Sequence, residues 1–365
     1  MKIASIDSYL VAIPYEHGAP KPVLTAASGR QTQDAVYVRV ETENGLTGWG
    51  EAFGFGACQM SHLAIGHVVA PLATGRDASD IPALMTSLFR ATQGMSRNGP
   101  VAYALSGLDI ALWDIAGKAA GKPVHAMLGG ARRSRIPAYA SLLRIGDPEY
   151  VAKVTRIALS RGYRHIKLHE RTAEAVAAAR AAAGPDIALM LDTNCTWDTE
   201  TALAMCQKLR PYNLAWLEEP VYPPDDFAGL ARLRKEGGIP VAAGENLGNV
   251  MDVRHCLEMG AVDVIQPDLA KMGGITEMMK AISLASAAGV RLELHSPLFG
   301  PALAASQHVL AAIPEETMCE FYFADLEANP MGAAGAPRDG FFDVPQGPGL
   351  GIEVDEKLLQ SYAIA

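Results

Sequence analysis

Leu189-Met-Leu-Asp-Thr-Asn194 is a short apolar run that closes on an acid, Asp192, and it is the first of four such runs. Ala215-Trp-Leu-Glu-Glu-Pro220 carries Glu218, Pro240-Val-Ala-Ala-Gly-Glu-Asn246 carries Glu245, and Val262-Asp-Val-Ile-Gln-Pro-Asp268 ends on Asp268. The steps between these acids are 26, 27 and 23 residues. Each step holds one strand, one helix and two short loops, which is the βαβ unit. A single acid at a strand end more often caps the next helix or pairs with a lysine. Three in register converge on one mouth and repel one another, so one would protonate unless a cation neutralised them. Hard oxygen ligands with open positions suit Mg2+, or Mn2+ as the other candidate, far better than zinc. Glu219 follows Glu218 on the opposite side of the strand and reads as a supporting residue rather than a ligand.

Outward from this core the same alternation continues. Strand-like runs at 136–142, 163–169, 187–192, 214–218, 241–245, 262–266, 290–295 and 318–321 are separated by alanine-rich helical stretches. Eight strands with helices between them predict a (β/α)8-type barrel with its active site at the carboxyl ends of the strands. Ahead of it, residues 1 to about 55 read as antiparallel strands with a hairpin turn at Glu43-Asn-Gly45. The stretch 15–30, with Pro20, Pro22 and Gly29, reads as a functional or mobile loop. A long helix is expected over 101–118, started by Pro100 and ended near Gly121. Asp109 and Asp114 within it read as buried hydrogen-bonding residues. The Gly- and Pro-rich tail from about 325 is expected to fold back on the first domain.

Composition narrows the class of function. The chain has 365 residues, 49% apolar and 19% charged, which is globular. A formal net charge of −9 argues against a nucleic-acid partner but leaves room for an anionic small substrate at a local cationic site. Five scattered cysteines without a CxxC pair predict reduced thiols. The N-terminus lacks the layout of a signal peptide, and no window holds eighteen apolar residues free of charge. A cytoplasmic enzyme with no membrane partner is expected.

Two further stretches carry chemistry. In Tyr163-Arg-His-Ile-Lys-Leu-His169, alternation sets His165, Lys167 and His169 on one face, and Ile166 and Leu168 on the other. The cationic set is expected to face the lumen, where Lys167 meets the carboxylates and a substrate anion. His295 ends the seventh strand, and Asp268, bonded to one of its ring nitrogens, would raise the basicity of the other. A cation, a lysine and a tuned histidine suit one reaction type, abstraction of the weakly acidic proton α to a carboxylate through an enediolate.

With these residues in place the chain resembles the enolase superfamily, and within it the mandelate racemase subgroup (mandelate racemase/muconate lactonizing enzyme). The resemblance runs along nearly the whole chain. It rests on Gly48-Trp-Gly-Glu51, Ser106-Gly-Leu-Asp-Ile-Ala-Leu-Trp-Asp114, Leu128-Gly-Gly130 and Trp216-Leu-Glu-Glu-Pro220. Ala243-Gly-Glu245, Gln266-Pro-Asp-Leu-Ala-Lys-Met-Gly-Gly274 and Gly347-Pro-Gly-Leu-Gly351 complete the set. It implies an α/β fold: a (β/α)7β TIM-type barrel over 129–325, an N-terminal α+β capping domain over 1–128, and a C-terminal segment, 326–365, that returns to the cap. It further implies one Mg2+ per active site held by Asp192, Glu218 and Glu245, and a His295–Asp268 dyad. Lys167 would polarise the substrate carboxylate and Glu320 would hydrogen-bond it. Specificity loops at about 15–30 and 51–56 would close over a small-molecule carboxylate, with His17, Lys21, Arg30, Phe53 and Asn194 as substrate contacts. A homo-oligomer is expected.

The departure lies on the second barrel strand, where Lys167-Leu-His169 stands in place of the family's Lys-x-Lys. An imidazole on a shorter stem with lower proton affinity disfavours racemisation, which needs two bases. It leaves β-elimination of water from a sugar acid as the preferred reaction. A racemase or epimerase, or a cycloisomerase acting on a carboxylic acid or lactone, are the alternatives, and a non-catalytic binding protein on the same fold is the outlier. The Phe53-Gly-Phe-Gly56 stretch argues for a compact or partly apolar substrate.

Overall fold

The computed structural model describes residues 1–19 and 31–364, so Lys21, Arg30 and most of the loop expected at 15–30 lie outside the described residues. The chain opens with β1 (Ile3–Glu16), β2 (Thr32–Thr42) and β3 (Thr47–Ala52), a meander of antiparallel strands. Period-two alternation sorts its side chains. Val36, Val38 and Val40 face a core shared with the helices, while Ala35, Tyr37, Val11 and Ile13 build a second cluster on the other face.

Helices α1 (Cys58–Ala64), α2 (Ala70–Ala73), α3 (Ile81–Ala91), α4 (Pro100–Ala120) and α5 (Val124–Met127) follow. Pro100 stands in the first turn of α4 and Gly121 ends it in the left-handed region at φ 63°, the start and stop that the sequence announced. The sheet lies almost in backbone contact with α4. A Cβ on Gly50 would fall 1.9 Å from the Gly107 carbonyl oxygen, and one on Gly48 would fall 2.2 Å from that of Ala111. Only glycine permits that approach.

Eight parallel strands then alternate with seven helices. They are β4 (Arg135–Ser141), α6 (Pro148–Ser160), β5 (His165–Leu168), α7 (Ala173–Ala183), β6 (Ala188–Asp192), α8 (Thr199–Leu209), β7 (Leu217–Glu218) and α9 (Phe227–Glu236). The series continues with β8 (Val241–Ala243), α10 (Val250–Glu258), β9 (Val264–Ile265), α11 (Gly274–Ala288), β10 (Arg291–Leu292), α12 (Pro301–Ala312) and β11 (Cys319–Tyr322). Each strand pairs with the next in sequence, β11 pairs with β4, and a parallel bridge from Leu294 to Cys319 closes the ring. Asp147, Thr172, Asp198, Asp226 and Asn249 each cap the helix that follows by accepting backbone N–H groups of its first turn. Tyr139, Met190, Trp216, Ala242, Val264 and Met318 fill the barrel floor.

Several hydrogen-bonded strands are shorter than the sequence suggested. Glu245, Asp268 and His295 stand in the segments just past β8, β9 and β10. Gly244 follows β8 at φ 146°, and a Cβ there would meet the Gln266 backbone nitrogen at 2.7 Å. His165, expected on the lumenal face, is half-buried at the start of β5 with Arg291 nearby, at the far end of that strand from the acids.

Cap and barrel are joined by buried polar contacts. Asp109 of α4 accepts from the Thr276 backbone N–H and hydroxyl on α11, and Trp113 Nε1 donates to the same hydroxyl at 3.0 Å. Asp114 accepts from the backbone N–H groups of Trp49 and Leu350 and from Lys118. Both aspartates are therefore structural. The tail supplies β12 (Asp325–Leu326), which pairs with β1, then β13 (Phe341–Asp343) on β4, and α13 (Glu356–Ser361). Leu359 of α13 packs into the outer cluster of the cap sheet. No helix among the described residues is long and apolar enough to cross a membrane.

Candidate active site

Asp192 and Glu218 are the last residues of β6 and β7, and Glu245 follows β8 by two. One oxygen from each lies within 4.8 Å of the others. Fixed donors aim them. Asp192 accepts from the Asn194 backbone N–H (2.8 Å) and side-chain amide (3.1 Å), which Asn194 reaches by turning left-handed at φ 48°. Glu218 accepts from Trp216 Nε1 at 2.8 Å and Gln266 Nε2 at 2.9 Å. Neighbours of this kind hold ligand carboxylates in register.

Lys167, fully buried, places its ammonium 2.7 Å from Glu218, 2.9 Å from Glu320 and 3.8 Å from Asp192. Burial alone would discharge it, but Glu218 and Glu320 outweigh that and hold its pKa well above the ordinary lysine value. Burial likewise favours a neutral Glu320, yet Lys167 and His295 bring its carboxyl down to about 2. Its second oxygen accepts from the Ser296 N–H at 2.8 Å. In this arrangement Glu320 anchors Lys167.

Two imidazoles flank the acids. His295 Nδ1 lies 2.7 Å from Asp268 Oδ2, and its Nε2 lies 2.7 Å from Glu245 Oε2. Burial opposes its charge, but Glu245 and the bond to Asp268 hold it well above the usual histidine range. Asp268 is itself fixed by the Ala270 N–H at 2.7 Å. His169 Nδ1 lies 2.6 Å from the Leu142 carbonyl oxygen, which can only accept, so Nδ1 carries a proton. Its Nε2 faces Asp192 Oδ2 at 3.1 Å, and Asp192 outweighs burial to raise its pKa.

The donor set fits a divalent cation. Asp192, Glu218, Glu219, Glu245, Asp268 and Glu320 are six carboxylates at one mouth, buried or nearly so. Lys167, Lys271, His169 and His295 stand directly against them, with the guanidinium groups of Arg144 and Arg171 on the cavity wall. Burial together with Glu245 and Asp192 accordingly pushes Glu219 up to about 8. Glu219 turns left-handed at φ 43° and accepts from Asn246 Nδ2 and Cys195 Sγ, beside the ligand set.

A cavity of about 300 Å³ opens over these groups. His169, Asn194, Glu245, His295, Glu320 and Phe53 line it, and Phe53 lies with its ring 6.4 Å from that of His295. Asn194 reaches the cavity with its amide already bonded to Asp192 and its oxygen accepting from Arg144. His17 is buried against Tyr15 and does not line the cavity. Sequence reading missed Ser141, Arg144, Arg171 and Tyr322, which do. Ser141 ends β4 and Tyr322 ends β11, so the rule that pointed to Asp192 could have found both. It also missed Lys271, whose ammonium sits 4.3 Å above the Phe53 ring and donates to the Glu245 carbonyl.

Residues 10–129 match the mandelate racemase/muconate lactonizing enzyme N-terminal domain, and 149–358 match the enolase C-terminal domain-like model. The chain belongs to the mandelate racemase/muconate lactonizing enzyme family of the enolase superfamily. Dependence on Mg2+ is general in that superfamily. The chain is 31% identical to a D-galactarolactone cycloisomerase of Agrobacterium fabrum over 99% of both chains. It is 34% identical to a D-galactonate dehydratase of Ralstonia pickettii over 89% of this chain and 90% of that one. Among solved structures, a racemase from Streptomyces coelicolor with bound magnesium superposes with a TM-score of 0.85 at 26% identity, covering 99% of this chain and all of the other.

Proposed function

We propose that this chain is a Mg2+-dependent acid-sugar lyase that abstracts the proton α to a carboxylate and eliminates water from the adjacent carbon. The observation that carries this reading is the unequal pair of imidazoles. His295 is oriented and made basic by Asp268 at 2.7 Å, whereas His169 has one nitrogen committed to a backbone carbonyl. Racemisation would ask both faces for an equivalent base, and elimination asks for one base and one acid.

Asp192, Glu218 and Glu245 would hold the ion, which when bound supplies the positive charge that a dianionic enediolate needs. Lys167 adds its ammonium to the same carboxylate and stays charged throughout. With Glu245 turned to the ion instead of to Nε2, His295, held at Nδ1 by Asp268, would lose its Nε2 proton and there take the α proton. Electrons from the broken C–H bond form the enediolate. The β hydroxyl then leaves with its bonding pair and the Nε2 proton of His169, as water. The resulting enol ketonises to a 2-keto-3-deoxy acid, and loss of the His295 proton to solvent balances the return of one to His169.

A second reading is cycloisomerisation, favoured by the likeness to the D-galactarolactone cycloisomerase along both whole chains. It uses the same base and acid, with a ring oxygen of a lactone leaving in place of hydroxide. The test is Mg2+-loaded protein incubated in D2O with D-galactonate and, separately, with D-galactarolactone, followed by NMR and mass spectrometry. With the deuterium taken up from solvent allowed for, a product short of one water supports the lyase, and an isomer that has lost no water supports the cycloisomerase. Exchange of the α proton with no product supports an epimerase. No exchange and no product with either acid would sink α-proton abstraction from sugar acids.

A further inference from the structure

The cavity has a cationic wall that the proposed chemistry leaves unused. Arg144 stands three residues past β4 and Arg171 three past β5, and both line the cavity on the His169 side. Arg144 is half-buried and held rigidly, with Nε donating to the His169 carbonyl at 2.9 Å and Nη2 to Asn194 Oδ1 at 2.6 Å. Both of those partners are neutral. Among the described residues neither guanidinium has a carboxylate within salt-bridge distance. Glu170, next to Arg171 in sequence, is committed to the backbone N–H groups of Ile145 and Gly146 at 2.8 to 3.2 Å.

Burial, and after it the like charge of Arg171, disfavours the Arg144 cation, and the more distant Asp192 and Glu170 offset this only in part. Two such charges on one wall of a small cavity call for an anion between them, and a planar guanidinium fork suits a carboxylate. The metal-ligand acids and Lys167 are reserved for the reacting carboxylate, so this anion is a second one on the same molecule.

We infer that the substrate is a diacid, an aldarate or its monolactone, whose distal carboxylate is held by Arg144 and Arg171. This rests on the proposed function in one respect, that the other carboxylate lies at Lys167. It excludes aldonates, which carry a hydroxymethyl group at that end, as the preferred substrates. A cavity of about 300 Å³ is at the small end for ligand sites and suits an acid of this size.

D-Galactarate and D-galactonate share one carbon skeleton and differ only in a carboxylate or hydroxymethyl at C6, so they isolate the distal group. Binding of each to the Mg2+-loaded protein is measured by calorimetry, alongside turnover. Galactarate should bind at least about tenfold more tightly. Arg171 is exposed, so Arg171→Ala tests the wall without disturbing the fold. It should cut the galactarate-to-galactonate affinity ratio by about tenfold to a hundredfold, the scale of a hydrogen bond to a charged group, and Arg171→Lys should restore part of it. Equal affinities in the native protein, or a ratio unmoved by Arg171→Ala, overturn the inference even if galactonate is dehydrated. Tight, Arg171-dependent binding of galactarate without water loss, rearrangement or α-proton exchange upholds the diacid site and removes the lyase reading instead.

Discussion

His295 and His169 are the same residue type in one cavity, and their different second contacts set them apart. A carboxylate at Nδ1 stabilises the imidazolium that forms when Nε2 takes a proton, whereas a carbonyl at Nδ1 fixes the ring and adds no counter-charge. His295→Asn keeps an amide near Asp268 but has no basic nitrogen. Turnover should fall by about 10²- to 10⁴-fold, the usual contribution of a general base, with substrate affinity little changed. Steady-state kinetics on whichever acid proves active checks this, and activity within a few-fold of native would remove the dyad as the base. Lys167 and His169 were legible from period-two alternation alone. The anchoring role of Glu320 was not, because it depends on Lys167 arriving from across the barrel at 2.9 Å.

The cap sheet and α4 show how little space separates two elements when glycines line the seam. Gly48 and Gly50 of β3 admit the carbonyls of Ala111 and Gly107, and α4 carries Gly107 against Val38 in return. One added methyl at Gly50 must push backbone aside. Gly50→Ala is expected to destabilise the protein by about 3 kcal/mol or more, at the upper end of overpacking costs. A lower denaturation midpoint, with early proteolysis in the cap, is the readout. A midpoint within error of the native value would mean that the seam has slack. The sequence marks Gly48-Trp-Gly-Glu51 as a motif without stating why glycine is needed, since the obstructing helix lies about sixty residues later in the chain.

Across the whole molecule, three strand ends share one charge problem, and a ligand that solves it should stabilise the fold. Mg2+ at a hundred times its dissociation constant would add about 2.7 kcal/mol. Chelation should therefore lower the melting temperature, and Asp192→Asn should abolish the difference between metal-loaded and chelated samples. Superimposable melting curves with and without Mg2+ would count against the ion. Acid should destabilise the fold through a different place. His308 of α12 is fully buried, with Nε2 donating to the Leu350 carbonyl of the tail and Nδ1 accepting from the His125 N–H of α5. A second proton on that ring would lose the acceptor and strand a charge, so burial takes His308 from 6.5 down to about 4. Its folded pKa lies below the unfolded one, so the unfolded state binds the extra proton between pH 6.5 and 4. Stability contributed at neutral pH is then lost across that window, by about 3 kcal/mol at most. His308→Gln, which keeps one donor and one acceptor, should flatten this part of the pH profile of the unfolding free energy. An unchanged profile would place the acid sensitivity elsewhere.

Sequence by itself determined what is local or periodic. The acid steps of 26, 27 and 23 residues follow from the length of a βαβ unit, so they revealed the barrel, its mouth and the three candidate ligands. Alternation along 163–169 put Lys167 inside. Tertiary structure decided what depends on groups distant in the chain meeting in one place. It committed His169 Nδ1 to Leu142, turned Glu320 into a partner for Lys167, and brought Arg144 and Arg171 to one cavity. Asp192 could be read from its own strand because its direction follows from the pleat. A side chain past the end of a strand has no such period, and its partners are set by the path of its loop.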